Sequence, residues 1–485
     1  MFTRSTATKS LKFQSLVIPS SQQNYWSMIP IQKNCKQLAK FYLGATGAAW
    51  ELKCVSTVSS LFQPICLPPK DATLKKDEPT SKSQKLFSEL GIVRQSSPGL
   101  FTLTPLGVRS LEKLVKIVDE ELKNVGCQKL QLPILTAGNL WKKTGRWEST
   151  GLELLTVKDR HGRDYVLSPT HEEAITDLVA YLPQLTHKQL PLKLYQITSK
   201  FRDEIKPRFG LLRSREFTMK DLYTFDKTVE TAQQTYELVC KAYDTIFQRL
   251  NTPFVKVAGS TGNIGGLSSH EYHFPSSIGE DDLRLCPFCH FGTNAELSPL
   301  DACTKCGSAN MKATKGIEVA HTFLLGTKYS QVLNAFFSSD DGTRSVCQMG
   351  CYGIGISRIL AASVEVLATD SEIRWPKLIA PYSVCVVAPK GGSKEESAIA
   401  LAHFVASQID QMKPFTQDVI LDDRSTTTIG KKLIEAKRMG YPFIVVVGRK
   451  SMEQVPLVEL YDLTKNTQNL FTVAQLFDYL KMSES

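Results

Sequence analysis

Past residue 380 three short runs, SVCVVAP, DVILD and FIVVVG, are apolar at almost every position. A strand with one face in water alternates apolar and polar residues, whereas a strand covered on both faces reads as a continuous apolar run. The segments between them, about residues 394–412 and 428–439, carry helical spacing and end in polar residues or glycine. Together they predict β-α-β-α-β, because parallel neighbours need a crossover and the crossover helices supply the cover. This grammar occupies residues 381–485 and leaves 82–380 for a larger domain of different build, since 485 residues exceed what one ordinary core serves.

The larger part mixes helices with short strands and turns, which predicts an α+β domain on an antiparallel sheet. TPLGVRSLEKLVKIVDEELKNVG reads as a helix with Thr104 as N-cap and Pro105 at the first helical position. Leu111, Leu114, Val115, Val118 and Leu122 share one face, and Gly126 is placed to end it. CQKLQLPIL reads as a short strand whose Pro133 marks an end or an interface. Residues 152–225 alternate apolar strands with turns, and 228–250 reads as a long amphipathic helix. Residues 51–81 read as a linker, its Pro- and Lys-rich part beginning near residue 67.

Charge narrows the address more than the function. Of a net +10, residues 1–50 hold six bases and no acid, which leaves only +4 for the other 435 positions. A nucleic-acid role must therefore come from sites rather than bulk charge. The Ser/Thr-rich, acid-free opening has the composition of a mitochondrial transit peptide, which points to the matrix. No apolar run approaches the roughly 18 residues that span a bilayer, so no membrane role is expected. Twelve cysteines in a chain this long read as reduced thiols.

The chemistry concentrates in KFRDEIKPRFGLLRSREFTMKDLYTF, residues 200–225. Read alone it is a hairpin laced with surface ion pairs. Period-two alternation puts Arg202 and Glu204 on one face of a strand, where they could bind a phosphate and a neighbouring donor. Arg213 adds a second guanidinium and Phe217 a ring face for stacking a base. Downstream, GCYGIGISRIL brings Gly353, Gly355 and Arg358 at a strand-to-helix junction where backbone can approach closely and a phosphate could sit.

These three blocks, in this order, resemble the signature motifs of class II aminoacyl-tRNA synthetases. With SPTHEEAITDL, GGLSSHEYHF, KGIEVAHTFLLGTKYS and VILDDRSTTTIGKKLIEAKRMGYPFIVVVG, the chain is similar to the prolyl-tRNA synthetases of class IIa, most closely the mitochondrial ones, from about residue 82 onward. The resemblance implies ATP-dependent attachment of proline to tRNA(Pro) through a prolyl-adenylate, with Mg2+ on the phosphates. It casts Arg202, Glu204 and Arg358 as catalytic. Arg202 would contact the α-phosphate and the prolyl carboxylate, and Arg213 and Arg358 the outer phosphates. Phe217 would stack the adenine, Glu204 would contact the nucleotide, and Gly355 would border it. Glu172, with Thr170 beside it, would accept from the secondary ammonium of proline, and His270 would line its ring. Residues 381–485 resemble the class IIa anticodon-binding domain, with Asp422, Asp423 and Arg424 placed to read bases. A homodimer is also implied. Only 120 residues, 226–345, separate the second and third motifs, which leaves no room for the large editing domain of many bacterial relatives.

Within that interval Cys286-x2-Cys289 and Cys303-x2-Cys306 have the spacing of a tetrathiolate zinc knuckle, the other reading being a metal-free loop. Three rivals remain beside the synthetase reading. They are a sister class IIa enzyme for threonine or glycine, a non-catalytic tRNA-binding paralogue, and a nucleic-acid-binding zinc module.

Overall fold

The computed structural model describes residues 55–64, 81–182, 185–297 and 302–483. The stretch read as a transit peptide, 1–50, lies outside them. The stretch read as linker, 51–81, is not uniform. Strand β1 (Ser56–Thr57) pairs in parallel with Ile420 and Leu421 at the edge of the C-terminal sheet, and Ser59 donates to Asp423. The linker expectation is corrected for residues 55–64, because the open edge of that sheet takes up their backbone groups.

The first long helix, α1 (Pro105–Asn124), forms as its pattern requires, with Leu106, Leu114, Ile117, Val118 and Leu122 buried. Each such side chain contributes roughly 1.5–3 kcal/mol by leaving water. Thr104 stands at the N-cap position, but its hydroxyl donates to the Gly91 and Ile92 carbonyls instead of capping. Gly126 ends the helix at φ +73°, in the left-handed region. The strand expected around Pro133 is broken there: β2 (Gln128–Lys129) forms before it, in parallel with its neighbour, and a separate short strand of another sheet starts at Leu135.

The remaining strands of the larger sheet are β3 (Leu192–Phe201), β4 (Glu216–Asp226), β5 (Val255–Ala258), β6 (Ser268–Pro275), β7 (Asp281–Leu285), β8 (Gly292–Asn294), β9 (Lys312–Gly326) and β10 (Gln348–Gly355). They lie in the order β6-β5-β8-β7-β9-β10-β4-β3-β2, nine strands in all, and β6 also pairs with β9. The central pairs β3–β4, β4–β10, β10–β9 and β9–β6 are antiparallel. One face is covered by α1, α3 (Val229–Leu250) and α4 (Ile356–Leu367). The other receives α2 (Glu172–Ala180), whose Ile175 and Val179 pack with Tyr223, Phe323 and Cys351.

The C-terminal unit follows its grammar. Strands β11 (Val384–Val387), β12 (Val419–Asp422) and β13 (Phe443–Val446) are parallel and fully buried, linked by α5 (Ile399–Gln411) and α6 (Ile429–Met439). An antiparallel pair, β14 (Leu457–Asp462) and β15 (Thr467–Thr472), and a last helix, α7 (Val473–Met482), complete a six-stranded sheet. Its lower face shares one apolar core with the larger domain, Cys385, Val387, Ile420 and Ile444 clustering with α1 and α4 residues. Lys113 and Arg109 of α1 both reach Asp418, at 2.6 and 3.2 Å.

Candidate functional site

The site lies on the face of the larger sheet that α2 leaves partly open, and strand register decides which side chains reach it. Residues directly opposite in neighbouring strands point to the same face. One row across four strands is Gln196, Asp221, Gly353 and His321; two residues along, the next row is Tyr223, Cys351 and Phe323. Phe217, Met219, Asp221 and Tyr223 therefore descend one side of β4 into a single cavity of about 230 Å³, which Gly353 and Gly355 keep open. A Cβ on Gly355 would sit 3.1 Å from the Cβ of Arg358, so the glycine lets that arginine approach.

Arg202 and Glu204 do not alternate along one strand as expected. The β3–β4 ladder stops at Phe201, and the Glu204 amide donates back to the Arg202 carbonyl at 2.9 Å. This tight turn still brings Arg202 to the cavity, while Glu204 borders an adjoining lobe that Arg202 also lines. Arg202 stands over the Phe217 ring at 5.3 Å, and among the described residues its guanidinium has no ion-pair partner. Arg358 stands nearby, held by backbone: Nε donates to the Leu212 carbonyl at 2.9 Å and Nη1 to that of Glu318 at 3.0 Å. Burial and then the neighbouring Arg358 push Arg202 below the usual arginine range. Two cations side by side, one lacking an acid, form a site that an anion would complete.

Both arginines also border a second lobe of about 200 Å³, lined by Glu204, Arg213, Glu280, Asp281 and Glu318. Arg213 is clamped there, its Nε 2.8 Å from Glu204 and its Nη1 2.5 Å from Glu280, and Glu280 also holds Arg208 at 2.7 Å. Burial acts to raise the Glu318 carboxyl, but its bond to His321 at 2.9 Å and the charge of Arg358 bring it down to about 2.

At the opposite end of the first lobe Glu172 is fully buried as the first residue of α2. Its Oε2 meets Arg146 at 2.9 Å, and its Oε1 accepts from the Cys351 thiol at 3.1 Å. Burial opposes the charge, yet Arg146 and the Thr170 hydroxyl hold the carboxyl below its ordinary range. Arg146 also reaches Glu173 at 3.1 Å and donates to Thr170 at 3.0 Å. Two carboxylates thus share one guanidinium, and the cluster retains acceptor capacity toward a cation in the cavity. Arg146 carried no signal in TGRWEST; Met219, Asp221 and Tyr223 were within reach of period-two counting from Phe217.

His270 does not line this cavity, and His321 does. In register His270 faces Thr322, Tyr352 and Leu222, the helix side of the sheet, and Tyr236 of α3 bonds its Nδ1 at 2.7 Å. The expectation for His270 is corrected for this reason: it and His321 fall on opposite phases of a period of two. Asp422, Asp423 and Arg424 are also corrected as free base readers. Arg424 forks onto Asp422 at 2.9 and 2.6 Å and reaches Glu435 at 2.7 Å, while Asp423 accepts from Ser59 at 3.0 and 2.6 Å. The four cysteines predicted as a cluster do meet, their sulfurs all within 4.8 Å of one another.

Known proteins point the same way. The family model described as the tRNA synthetase class II core domain (G, H, P, S and T) matches residues 155–367, and the anticodon binding domain matches 384–482. The "Probable proline--tRNA ligase, mitochondrial" of Rattus norvegicus is 48% identical over 411 residues, covering 83% of this chain and 86% of its own. The prolyl-tRNA synthetase of Giardia lamblia, solved with prolyl-adenylate, superposes with a TM-score of 0.68 at 18% identity, covering 81% of this chain and 75% of its own. That of Cryptosporidium parvum, solved with halofuginone and AMPPNP, gives 0.67 at 18% over 82% and 74%. With nearly half its residues shared over most of its length, the chain belongs to the proline–tRNA ligases, class II aminoacyl-tRNA synthetases that carry an anticodon-binding domain.

Proposed function

We propose that this cavity makes prolyl-adenylate and passes the prolyl group to tRNA(Pro) in the mitochondrial matrix. The observation that carries the reading is a single cavity with an unmatched Arg202 at one end and a buried, ionised Glu172 at the other. Proline is a zwitterion of matching charges: its carboxylate would lie at Arg202 and its secondary ammonium at Glu172 and Thr170. His321, stacked on Phe323 at 3.9 Å, closes the apolar wall beside the ring.

In the first step a proline carboxylate oxygen attacks the α-phosphorus of ATP and pyrophosphate leaves. In the second, a terminal tRNA hydroxyl attacks the acyl carbon and AMP leaves. No protein nucleophile is required, so the residues act by alignment and charge. Arg202 stabilises charge building on the α-phosphate. Arg213 and Arg358 take the outer phosphates, Phe217 offers its ring to the adenine, and Glu204 and the backbone at Gly355 border the nucleotide. Magnesium, an oxygen-seeking ion, would offset phosphate charge in this lobe, which Glu280, Asp281 and Glu318 border. The solved relative with AMPPNP supports a nucleotide in this fold. A structural zinc on the four cysteines belongs to the same reading.

With Asp422 and Arg424 engaged to each other, tRNA contact falls to Lys390, Arg449 and Lys450. These are exposed beyond the carboxyl ends of β11 and β13, with no ion pair among the described residues. A homodimer is supported by a groove of about 620 Å³ of mixed polar and apolar lining, flanked by exposed Leu135, Leu178 and Tyr181; a concentration-independent monomer in sedimentation would remove it. The described part of 226–345 is occupied by α3, the strands β5 to β9 and the cysteine loops, which supports the absence of an editing domain.

The test is amino-acid-dependent exchange of pyrophosphate into ATP, run across all twenty amino acids. Exchange with proline alone is expected. Exchange with another amino acid would overturn the pocket assignment, and none at all would overturn the adenylation step.

A further inference from the structure

The cysteine cluster lies outside the cavity, yet two strands connect it to the nucleotide lobe. Cys286 follows directly on β7, and Cys306 precedes β9 by a short turn. These strands pair from Leu285↔Lys312 beside the cysteines to Asp281↔Gly316 beside the lobe, about 14 Å of ladder. Past that end lie Glu280, which clamps Arg213, and Glu318, which touches Arg358.

The two Cys-x2-Cys loops have the same backbone design. In the first, the His290 amide donates to the Cys286 carbonyl and the Cys286 amide to that of Phe291; in the second, Gly307 donates to Cys303 and Cys303 to Ser308. The fifth position is left-handed in both, at φ +57° for His290 and +75° for Gly307. Two separate loops thus make the same turn, one of them at a histidine, for which this conformation is less common than for glycine. Across the loops, Cys286–Cys306 and Cys289–Cys303 have sulfurs 3.6 Å apart, too far for a disulfide. A tetrahedral zinc with bonds of ~2.3 Å sets its sulfurs about 3.8 Å apart. Four thiolates leave no open position, so such an ion is structural.

We infer that the four cysteines bind one zinc ion and that this ion braces the β7–β9 pair, setting Glu280 and Glu318 against the nucleotide arginines. The inference rests on the proposed nucleotide lobe for its consequence, but not for the metal itself. Without the ion, the free ends of β7 and β9 lose their crosslink. Arg213 and Arg358 then lose a fixed acid partner, while Glu172 in the proline lobe keeps Arg146.

Metal content of the full-length protein from a zinc-supplemented host, and of Cys306→Ser and Cys289→Ser, comes first. One zinc per chain is expected, lost in both variants. Cobalt offered to chelator-stripped wild type should give the intense visible bands of a tetrahedral thiolate complex, which does not depend on any variant folding. Pyrophosphate exchange then reads the brace: KM for ATP should rise roughly tenfold on metal removal, with KM for proline little changed and zinc restoring the ATP value. Substoichiometric zinc together with no cobalt spectrum would overturn the site. Bound zinc whose removal leaves KM for ATP unchanged, or raises both KM values alike, would overturn the brace. Wild type with one zinc but no proline-dependent exchange would sink the proposed function and the brace while leaving the metal site standing.

Discussion

Two arginines at loops of comparable sequence, Arg202 in FRDE and Arg424 in LDDR, ended in opposite conditions. Arg202 lies in a cavity with no ion-pair partner among the described residues, beside a second cation. Arg424 is forked onto Asp422 and Glu435, and its pKa is pushed up chiefly by the Asp422 hydrogen bond. Of these two, the cation matched within the protein holds its loop together, and the one left unmatched at the cost of its desolvation is available to a ligand. The acids teach the same lesson in reverse: buried Glu172 keeps acceptor capacity toward a cavity, whereas buried Asp422 does not.

The sharpest break of this contrast would come from Arg202→Ala. Proline-dependent pyrophosphate exchange should fall by about 10³-fold, the effect of losing a preorganised charge donor, with no loss of thermal stability. A stability loss comparable to the activity loss would place Arg202 with Arg424 as scaffold. Asp422→Ala should do the reverse. Leaving Lys432 without its acid and Arg424 with Glu435 alone should cost roughly 3 kcal/mol in a denaturant titration, with exchange per folded molecule intact.

Glu172→Gln comes next. Removal of one charge-assisted bond, about 2 kcal/mol, should raise KM for proline ~30-fold while KM for ATP holds. Steady-state kinetics with each substrate varied would separate the two lobes. Lys450→Ala should be milder, lowering tRNA affinity two- to three-fold and the salt slope of binding by about 1, with exchange untouched.

The smallest effect concerns the two histidines. Burial, then Lys256 and His321, lower His270 from 6.5 to about 4. The folded state therefore refuses a proton that the unfolded chain accepts below 6.5. The stability that neutral His270 contributes is full above pH 6.5, declines as pH falls toward 4, and is gone below it. His270→Gln should flatten stability across that window, read as Tm against pH, and leave KM for proline unchanged. A raised KM would return His270 to the pocket.

Several elements were legible because local chemistry suffices for them. Continuous apolar runs announced β11, β12 and β13, and the 3.6-residue period announced α1 and α3. The cysteine spacing announced its cluster. The linker over residues 55–64 was misread because an edge strand of two residues is made by its partner, with no pattern of its own. Arg146 was missed because its role comes from Glu172 and Glu173, 26 and 27 positions away.

By itself the sequence determined the kinds of element, the division near residue 380 and the presence of arginines in number enough for a triphosphate, since periodicity and composition are properties of neighbours along the chain. Only the tertiary structure decided which charges are free. It put His321 rather than His270 in the cavity through the register of β6 on β9, and closed Asp422 and Arg424 on each other. Ion pairing and burial are relations across space. Arg202 is open to a ligand because folding brings it no ion-pair partner among the described residues, and Arg424 is closed because folding brings it two.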